Sequence, residues 1–489
     1  MTALGSNTSA GLIAEGCALT LDALQDRALR AAALFQSLGV NEGDCVALLL
    51  RNRAPLIVAT LGAQHLGAYA VPINWHFAPA EVAYVVKDCG ARVLLVEADL
   101  RPALADDALE GLAVLIADVA GWDETLDQRM PIATDSKTAV QSMIYTSGTT
   151  GRPKGVRRAP ASPQQAAAAD RARKEIYGSE PGMRLLMSAP LYHSAPNRFA
   201  LTALQQMGLL VLEQKFDALA TLRAIEAHAI THMFMVPTMF VRLRALPEAD
   251  RKRHDLSSLR WIIHAGAPCP PEVKAAMIDW WGPVINEYYG STETGPITFV
   301  NSRDALRHGG TVGRPVQGVV LSIRDEVGNP CPPNQPGEIV VDQSSQADFT
   351  YHGVDGHDHG TETGGGWATG DIGYLDADGF LYICDRRTDM IISGGVNIYP
   401  AEIEAELIRI AGVRDCAVIG VPDAEFGEAV VGIVEVAAGV TPPTDDAIKA
   451  ILKGRIAGYK VPRRIIFASA LPRDDSGKIY KRKLRDSLA

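Results

Sequence analysis

The sequence predicts an α/β protein with a large layered N-terminal part, a small antiparallel, β-barrel-like region and a smaller C-terminal α+β part. The chain has 489 residues, 47% hydrophobic and 21% charged, so it can bury a large core and form at least two domains. Helical spacing alternates with short apolar runs as far as Trp281. The pattern then changes after Val312 and again near Met390, which indicates separate structural regions.

The first part of the chain alternates predicted helices with predicted strands. Apolar residues at helical spacing predict helices at 21–38, 55–66, 218–228 and 271–281. Short apolar runs predict strands at 45–50, 92–97, 185–190, 232–236 and 259–264. This alternation is typical of layered α/β domains.

After Val312, short β-like runs at 319–323, 338–341 and 380–383 are separated by Gly, Pro and Asp, as expected of a small antiparallel region. Residues 351–360, which include His352, His357 and His359, are interpreted as a polar loop and not a metal site. A second α/β pattern follows, with helices predicted at 401–410 and 445–457 and strands at 415–421 and 430–436. A domain boundary is therefore expected near 385–389.

Composition limits the function classes. The 57 acidic residues exceed the 47 Lys and Arg, giving a net charge of −10, which disfavours nucleic acid and anionic lipid as partners. The seven cysteines are scattered, without the spacing of a disulfide framework or zinc site. The first residues lack a secretory pattern, and the longest apolar stretch, 55–70, is interrupted by polar residues and Gly, so no membrane span is expected. A cytoplasmic small-molecule enzyme is predicted.

The strongest local pattern is MIYTSGTTGRPKGV at 143–156, an apolar strand that leads into a loop of hydroxyl side chains, glycines and Lys154. Glycines let backbone N–H groups approach a phosphate, while hydroxyls and an ammonium add donors and positive charge. The Walker spacing is absent, because Gly155 follows Lys154. The segment predicts a polyphosphate-binding loop of another kind.

Together with four later motifs, this loop resembles the adenylate-forming superfamily, which includes acyl-CoA synthetases, nonribosomal adenylation domains and luciferase. The motifs are NEYYGSTETG at 286–295, WATGD at 367–371, DRRTDMIISGG at 385–395 and LPRDDSGK at 471–478, in the family's order. The residues around Met390 most resemble the acyl-CoA synthetase branch.

The resemblance implies an N-terminal adenylation domain (1–384), a hinge (385–389) and a small mobile C-terminal domain (390–489). It also implies an AMP-forming acyl-CoA synthetase that uses ATP, Mg²⁺ and CoA. A carboxylate attacks the α-phosphate of ATP to give acyl-AMP and pyrophosphate, and the CoA thiol then displaces AMP. Each step has its own developing charge to stabilise.

The resemblance assigns a large set of residues to ATP binding. They are Thr146, Ser147, Gly148, Thr149, Thr150, Gly151, Lys154, Gly266, Ala267, Pro268, Glu287, Tyr288, Tyr289, Gly290, Asp371, Ile383 and Arg386. Within and beside this set, Tyr289 would stack on adenine, Asp371 would accept from the ribose, Thr292 would donate to the α-phosphate and Glu293 would bind Mg²⁺.

The resemblance also assigns roles in the C-terminal region. Lys478 would bridge the carboxylate and the α-phosphate during adenylation, so Lys478, Thr292 and Glu293 form the predicted catalytic set. Thr388 occupies the hinge position, where relatives usually carry Lys or Asp. The predicted CoA-binding residues are Gly394, Gly395, Lys460 and Arg464.

The predicted acyl pocket contains His193, Pro237, Thr238, Ile263, His264, Gly266 and Gly290. These segments hold no obvious cation for a second carboxylate, so a hydrophobic or aryl monocarboxylic acid is expected. Two alternatives remain open: an adenylating enzyme that delivers the acyl group to a carrier-protein thiol, and a non-catalytic nucleotide-binding protein. A homodimer is also left open.

Overall fold

The computed structural model describes residues 10–101, 111–117, 119–133, 142–146, 153–158, 162–342, 349–353, 366–393, 396–423, 426–436, 440, 443–473 and 479–488. The described strands, in chain order, are β1 (Gly11–Ala14), β2 (Cys17–Thr20), β3 (Cys45–Leu49), β4 (Tyr69–Pro72), β5 (Ala91–Val96), β6 (Ala113–Ile116), β7 (Ile144–Thr146), β8 (Lys154–Arg158), β9 (Arg184–Met187), β10 (Leu209–Leu212), β11 (His232–Met235), β12 (Trp261–His264), β13 (Ile285–Ser291), β14 (Gly295–Val300), β15 (Arg314–Pro315), β16 (Val320–Arg324), β17 (Gly337–Asp342), β18 (Phe349–Tyr351), β19 (Trp367–Leu375), β20 (Leu381–Arg386), β21 (Ile391–Ser393), β22 (Val396–Ile398), β23 (Val413–Asp423), β24 (Gly427–Val436) and β25 (Arg464–Ala468). The described α-helices are α1 (Leu21–Ser37), α2 (Ala54–His65), α3 (Pro79–Asp88), α4 (Val119–Asp127), α5 (Pro163–Tyr177), α6 (Ser194–Gln205), α7 (Ala218–His228), α8 (Pro237–Arg244), α9 (Glu248–Arg253), α10 (Pro271–Trp281), α11 (Ser302–Arg307), α12 (Pro400–Leu407), α13 (Asp445–Lys453) and α14 (Lys481–Asp486).

A nine-stranded sheet with the order β15-β14-β13-β12-β11-β9-β10-β1-β2 forms the centre of the large N-terminal part. Its middle strands, from β13 to β1, run parallel, and antiparallel strands close both edges. Parallel strands have both faces covered, which explains why β9 to β12 are mostly apolar and mostly buried. The sheet therefore carries the predicted layered α/β architecture.

A second parallel sheet, β4-β3-β5-β6, lies earlier in the chain. Helices α1 and α2 pack closely together beside the two sheets. A Cβ added at Gly62 of α2 would meet the Cβ of Ala31 at 2.8 Å, so the close helix packing requires glycine there. Thr20 caps α1 by accepting from the N–H of Ala23 at 3.2 Å. These contacts fix where α1 begins and how closely it packs on α2 in the N-terminal core.

The predicted small β region contains a four-stranded antiparallel sheet, β16-β17-β19-β20. Strands β7 and β8 form a hairpin, and β18 extends it as a third strand. Tyr351 is therefore the last residue of a strand, and its assignment to a polar loop was wrong. The short run Phe349–Tyr351 consists of two aromatic residues and a threonine, which favour strands, and the polar residues after it obscured this signal. His357 and His359 lie outside the described residues.

The C-terminal part has its own sheet, β22-β21-β24-β23, with β25 added parallel to β24. Helices α12 and α13 cover it, and the buried residues form cores separate from the N-terminal one. The helix predicted at 445–457 ends at Lys453, because Gly454 and Arg455 close its last turn with short i→i−3 bonds. The boundary at 385–389 stays a prediction. Within the described ranges, we find no helix with the length and hydropathy that crossing a membrane requires.

Candidate active site

The parallel strands of the nine-stranded sheet bring the predicted acyl-pocket residues together at their carboxyl ends. We call this side of the sheet the sheet edge. His193 follows β9 and precedes α6, and Pro237 starts α8 directly after β11. His264 ends β12, and Gly290 lies near the end of β13. The carboxyl ends of parallel strands are the usual ligand-binding edge of such sheets. Thr238, Ile263, Ala267 and Pro268 adjoin these positions in the chain.

The two predicted glycines have different structural reasons. Gly266 has φ of +87°, a conformation that other L-residues rarely adopt. A Cβ at Gly290 would lie 2.0 Å from the carbonyl oxygen of Gly295, at an irregularity between β13 and β14. The close approach of β14 therefore explains Gly290 without a substrate, and room for an acyl chain is not needed to account for it.

Tyr289 of β13 meets Asp371 and Arg386 of the β19–β20 pair, although the two parts are far apart in the sequence. The Tyr289 hydroxyl donates to Oδ2 of Asp371 at 2.5 Å, and Arg386 Nε lies 3.6 Å from Oδ1. Strands β19 and β20 place Asp371 opposite Arg386 in register. Burial, reinforced by the Asp371 carboxylate, raises the pKa of Tyr289 well above its usual value, so its hydroxyl stays a donor. Ile383 lies on β20 opposite Gly373.

Glu293 lies beside the end of the predicted phosphate loop. Thr146 Oγ1 donates to Glu293 Oε1 at 3.2 Å, and the Tyr351 hydroxyl donates to the same oxygen at 3.3 Å. The Lys154 ammonium lies 4.9 Å from the centre of the Tyr351 ring. The carboxylate and the two hydroxyls form an oxygen-only donor set, which fits the ligand preference of Mg²⁺.

Arg158 holds the turn that carries Thr292 and Glu293, and the sequence motifs did not reveal it. Its guanidinium donates to the main-chain carbonyl of Thr292 at 3.2 Å and to that of Glu293 at 2.5 Å. Arg158 is buried at the end of β8, on the same face as Lys154. Arg158 follows Lys154 by four residues, a spacing that places both side chains on one face of a strand. This spacing is the weak sequence signal that could have predicted Arg158.

Lys274, Glu287 and His264 form a buried cluster at the same sheet edge. The Lys274 ammonium pairs with Glu287, and His264 Nδ1 lies 3.8 Å from the other Glu287 oxygen. Burial raises the pKa of Glu287 and Lys274 opposes this effect, while burial and Lys274 together lower the pKa of His264 well below its usual value. His264 is thus a neutral core residue packed edge-on against Phe240. Lys274 was not predicted.

The opposite face of β13 is aromatic. Tyr288 is buried there, perpendicular to Tyr177 with ring centres 6.4 Å apart, and Tyr177 stacks on Phe199 of α6. The side chains of Tyr288 and Glu287 therefore lie on different faces of the strand, as strand alternation requires. Their predicted contacts with ATP stay predictions.

The remaining predicted residues divide into two groups. Lys460 pairs with Glu402 at 2.6 Å, Arg464 is an exposed residue at the start of β25, and Thr388 is exposed. The other predicted residues, from the phosphate loop, the CoA glycines and the catalytic lysine, lie outside the described ranges: Ser147, Gly148, Thr149, Thr150, Gly151, Gly394, Gly395 and Lys478.

Comparison with known families decides the identity. Residues 5–348 match the model of the AMP-binding enzymes, and residues 402–478 match that of the AMP-binding enzyme C-terminal domain. The chain belongs to the AMP-binding enzyme family. The resemblance to the adenylate-forming superfamily is therefore confirmed.

Relatives of this AMP-binding enzyme are similar along nearly the whole chain. A feruloyl-CoA synthase from an Amycolatopsis species is 35% identical over 478 residues, covering 96% of this chain and 94% of the relative. The long-chain-fatty-acid–CoA ligase FadD13 of Mycobacterium tuberculosis is 33% identical, with coverages of 94% and 91%. The structure of ATP-bound MatB from Rhodopseudomonas palustris is 27% identical and superposes with a TM-score of 0.88 over 99% of this chain and 97% of that one.

Proposed function

We propose that this AMP-binding enzyme is an AMP-forming acyl-CoA synthetase that acts on a hydrophobic or aryl monocarboxylic acid. Its class is supported by full-length similarity to CoA ligases. The observation that carries the chemistry is the meeting of Tyr289, Asp371 and Arg386 beside the sheet edge. A non-catalytic nucleotide-binding protein would not require the ordered set that extends to Lys478, and similarity to CoA ligases disfavours a carrier thiol as acceptor.

The nucleotide would bind between the sheet edge and β19. In this proposal the Tyr289 ring stacks on adenine, the Asp371 carboxylate accepts from the ribose hydroxyls, and Arg386 adds a cation beside them. Thr292 donates to the α-phosphate, while Thr146 and Lys154 reach the outer phosphates. Charge-assisted hydrogen bonds of this kind orient the α-phosphate for attack by the carboxylate.

Glu293 would hold Mg²⁺ together with ATP oxygens, because a single carboxylate plus substrate phosphates is a common arrangement for this ion. When bound, the ion neutralises charge on the phosphates. The chain's own contribution is to fix the Glu293 carboxylate, which Thr146, Tyr351 and the Arg158-bound turn achieve. Arg158 is thus a positioning residue for the proposed metal ligand.

The two half-reactions need different groups beside the same acyl centre. We assign Lys478 to adenylation, and Gly394, Gly395, Lys460 and Arg464 to CoA binding. A rotation of the C-terminal domain about Thr388 would exchange them. A hinge residue needs only to absorb a change in φ and ψ, which an exposed threonine can do.

The proposal is tested by screening carboxylic acids, including aryl, fatty and dicarboxylic members, for pyrophosphate–ATP exchange without CoA. Exchange that depends on an apolar monocarboxylate, with AMP and acyl-CoA formed after CoA is added, is the expected result. Formation of ADP would contradict the two-step reaction. Adenylation followed by transfer only to a carrier-protein thiol would replace CoA as the acceptor.

A further inference from the structure

Asp385 connects the antiparallel sheet of the N-terminal part to the first helix of the C-terminal part. It lies on β20 and is 7% exposed, and its Oδ2 accepts from the N–H of Ala401 in the first turn of α12 at 2.8 Å. Tyr399, at the N-cap position of α12, makes no side-chain cap bond. Asp385 therefore supplies a cap that the local sequence lacks, and its charge suits a helix N-terminus.

Lys481 of α14 pairs with the same helix from within the C-terminal part. Its ammonium lies 2.9 Å from Glu404 of α12, and Glu404 also accepts from the N–H of Val418 at 2.6 Å. The Lys481 side chain is only 14% exposed. Burial would lower the pKa of Lys481, but the carboxylates of Glu404 and Asp385 outweigh it and raise this pKa. Lys481 is thus a buried cation that pairs with Glu404 on its own side of the proposed hinge, and its positive charge also lowers the pKa of Asp385, against the effect of burial.

The charged side chains next to Asp385 each pair on their own side of Thr388, although the N–H of Asp389 donates to the carbonyl of Arg386 across it at 2.9 Å. Arg386 faces Asp371, and Arg387 pairs with Glu338 at 2.9 Å, both within the N-terminal sheet. Asp389, after Thr388, pairs with Arg485 of α14 in the C-terminal part. Asp385 differs because it precedes Thr388 but bonds to the helix that follows it. Rotation about Thr388 would break the Asp385 contacts and leave the Asp389–Arg485 pair intact.

We propose that Asp385 is a positioning residue that holds the C-terminal domain in the orientation seen here, through its bond to the N-terminus of α12, and releases it when the domain rotates. This inference rests on the proposed function, because domain rotation serves the two half-reactions. The contact stabilises one orientation relative to the other. Removing this contact should therefore change the ratio of the rates of the two half-reactions, and not lower both rates equally.

The test compares Asp385→Ala and Asp385→Asn with Asp389→Asn. Asp389→Asn is the matched control, because the Asp389 carboxylate pairs with Arg485 on its own side of Thr388. One assay measures acid-dependent pyrophosphate–ATP exchange, and another measures acyl-CoA formation from supplied acyl-adenylate and CoA. Asp385→Ala should change the ratio of the two rates by about 10-fold or more, the effect expected for losing a hydrogen bond to a charged group. Asp385→Asn, which keeps an acceptor oxygen, should change it less, and Asp389→Asn by less than about twofold.

Limited trypsin cleavage after Arg386 and Arg387, whose side chains are 58% and 63% exposed, gives a readout independent of activity. Faster cleavage in Asp385→Ala but not in Asp389→Asn supports the inference even if the wild type shows no exchange, in which case the proposed function alone fails. An unchanged rate ratio with unchanged cleavage in Asp385→Ala overturns it. An equal loss of both half-reactions with a lower melting temperature, or an equal effect of Asp389→Asn, overturns it as well.

Discussion

The hydroxyl of Tyr289 donates a 2.5 Å hydrogen bond to Asp371, so the residue proposed to stack on adenine directly contacts the residue proposed to hold the ribose. The two side chains come from β13 of the large sheet and β19 of the antiparallel sheet. Their contact joins two separate sheets at the proposed nucleotide site. The position of the Tyr289 ring thus depends on both sheets.

Replacing Tyr289 separates its ring from its hydroxyl. Tyr289→Phe keeps the stacking surface and removes only the donor, so the KM for ATP in pyrophosphate exchange should change by less than about threefold. Tyr289→Ala removes the ring and should raise this KM by on the order of 10-fold or more, since base–aromatic stacking contributes about 1–3 kcal/mol. Equal effects of the two substitutions would show that the hydroxyl, and not stacking, is what matters.

Glu293→Gln tests the proposed Mg²⁺ ligand. The substitution preserves size but makes an anionic ligand neutral, so the Mg²⁺ concentration for half-maximal exchange should rise several-fold. Tyr351→Phe is the matched control, because it removes one hydrogen bond of 3.3 Å to the same oxygen and leaves the charge in place. A smaller shift is expected there. Unchanged Mg²⁺ dependence and turnover in Glu293→Gln would remove this residue from the metal site.

Much of the fold was predictable because periodicity is a local property. The helix predicted at 218–228 matches α7, and the strand predicted at 45–50 matches β3 within one residue. Strand order was not predictable, because no residue pattern indicates that β1 pairs with β10, far away in the chain. The register that places Asp371 opposite Arg386 was not predictable for another reason: an irregularity between Ile372 and Gly373 shifts the pairing of β19 with β20.

The residues of the candidate site also divide into those that the sequence alone could predict and those that it could not. Motif residues such as Tyr289 and Glu293 could be predicted because their order along the chain carries the family pattern. Arg158 and Lys274 were missed because each is explained only by its partner, and the partner comes from another segment: the carbonyls after β13 for Arg158, and Glu287 for Lys274. A buried cation becomes recognisable only when the fold shows that it is buried.

The Lys274–Glu287 pair predicts a large stability effect. Lys274→Met leaves the Glu287 carboxylate buried without its counter-charge, which should lower the free energy of unfolding by about 3–5 kcal/mol. Lys274→Met combined with Glu287→Gln should recover part of this loss, because no uncompensated charge remains. Lys252→Met is the control, since Lys252 pairs with Glu248 on an exposed helix and should show no measurable change. Urea unfolding measures all three, and a Lys274→Met variant as stable as the control would contradict the argument.

The buried carboxyl group of Glu213 should make the stability of the folded chain depend on pH. Burial, with a smaller effect of Asp217, raises the pKa of Glu213 to about 7 in the folded chain, from an ordinary value of 4.5. The folded state therefore binds the proton more tightly than the unfolded state, so stability falls as pH rises from about 4.5 through about 7. Glu213→Gln mimics the neutral form and should be more stable than wild type at pH 8 by about 3 kcal/mol, with little difference at pH 4. A difference between the two proteins that does not vary with pH would contradict the assignment.

Lys478→Ala separates a catalytic lysine from a surface charge. The proposed function places this cation beside the reacting carboxylate and the α-phosphate during adenylation only. Acid-dependent pyrophosphate exchange should therefore fall by on the order of 10²-fold or more, as when one preorganised donor to a transition-state oxyanion is removed. Conversion of supplied acyl-AMP and CoA to acyl-CoA should stay near the wild-type rate, because the proposal assigns other groups of the C-terminal domain to that step. The control is Lys483→Ala, which should leave both rates unchanged, because Lys483 is an exposed lysine on α14 near the ring of Tyr480.

If exchange in Lys478→Ala stays within a few-fold of wild type, Lys478 is a surface residue. If both steps fall together with the melting temperature, its role is in the fold, and the assignment of separate groups to the two half-reactions loses its main support.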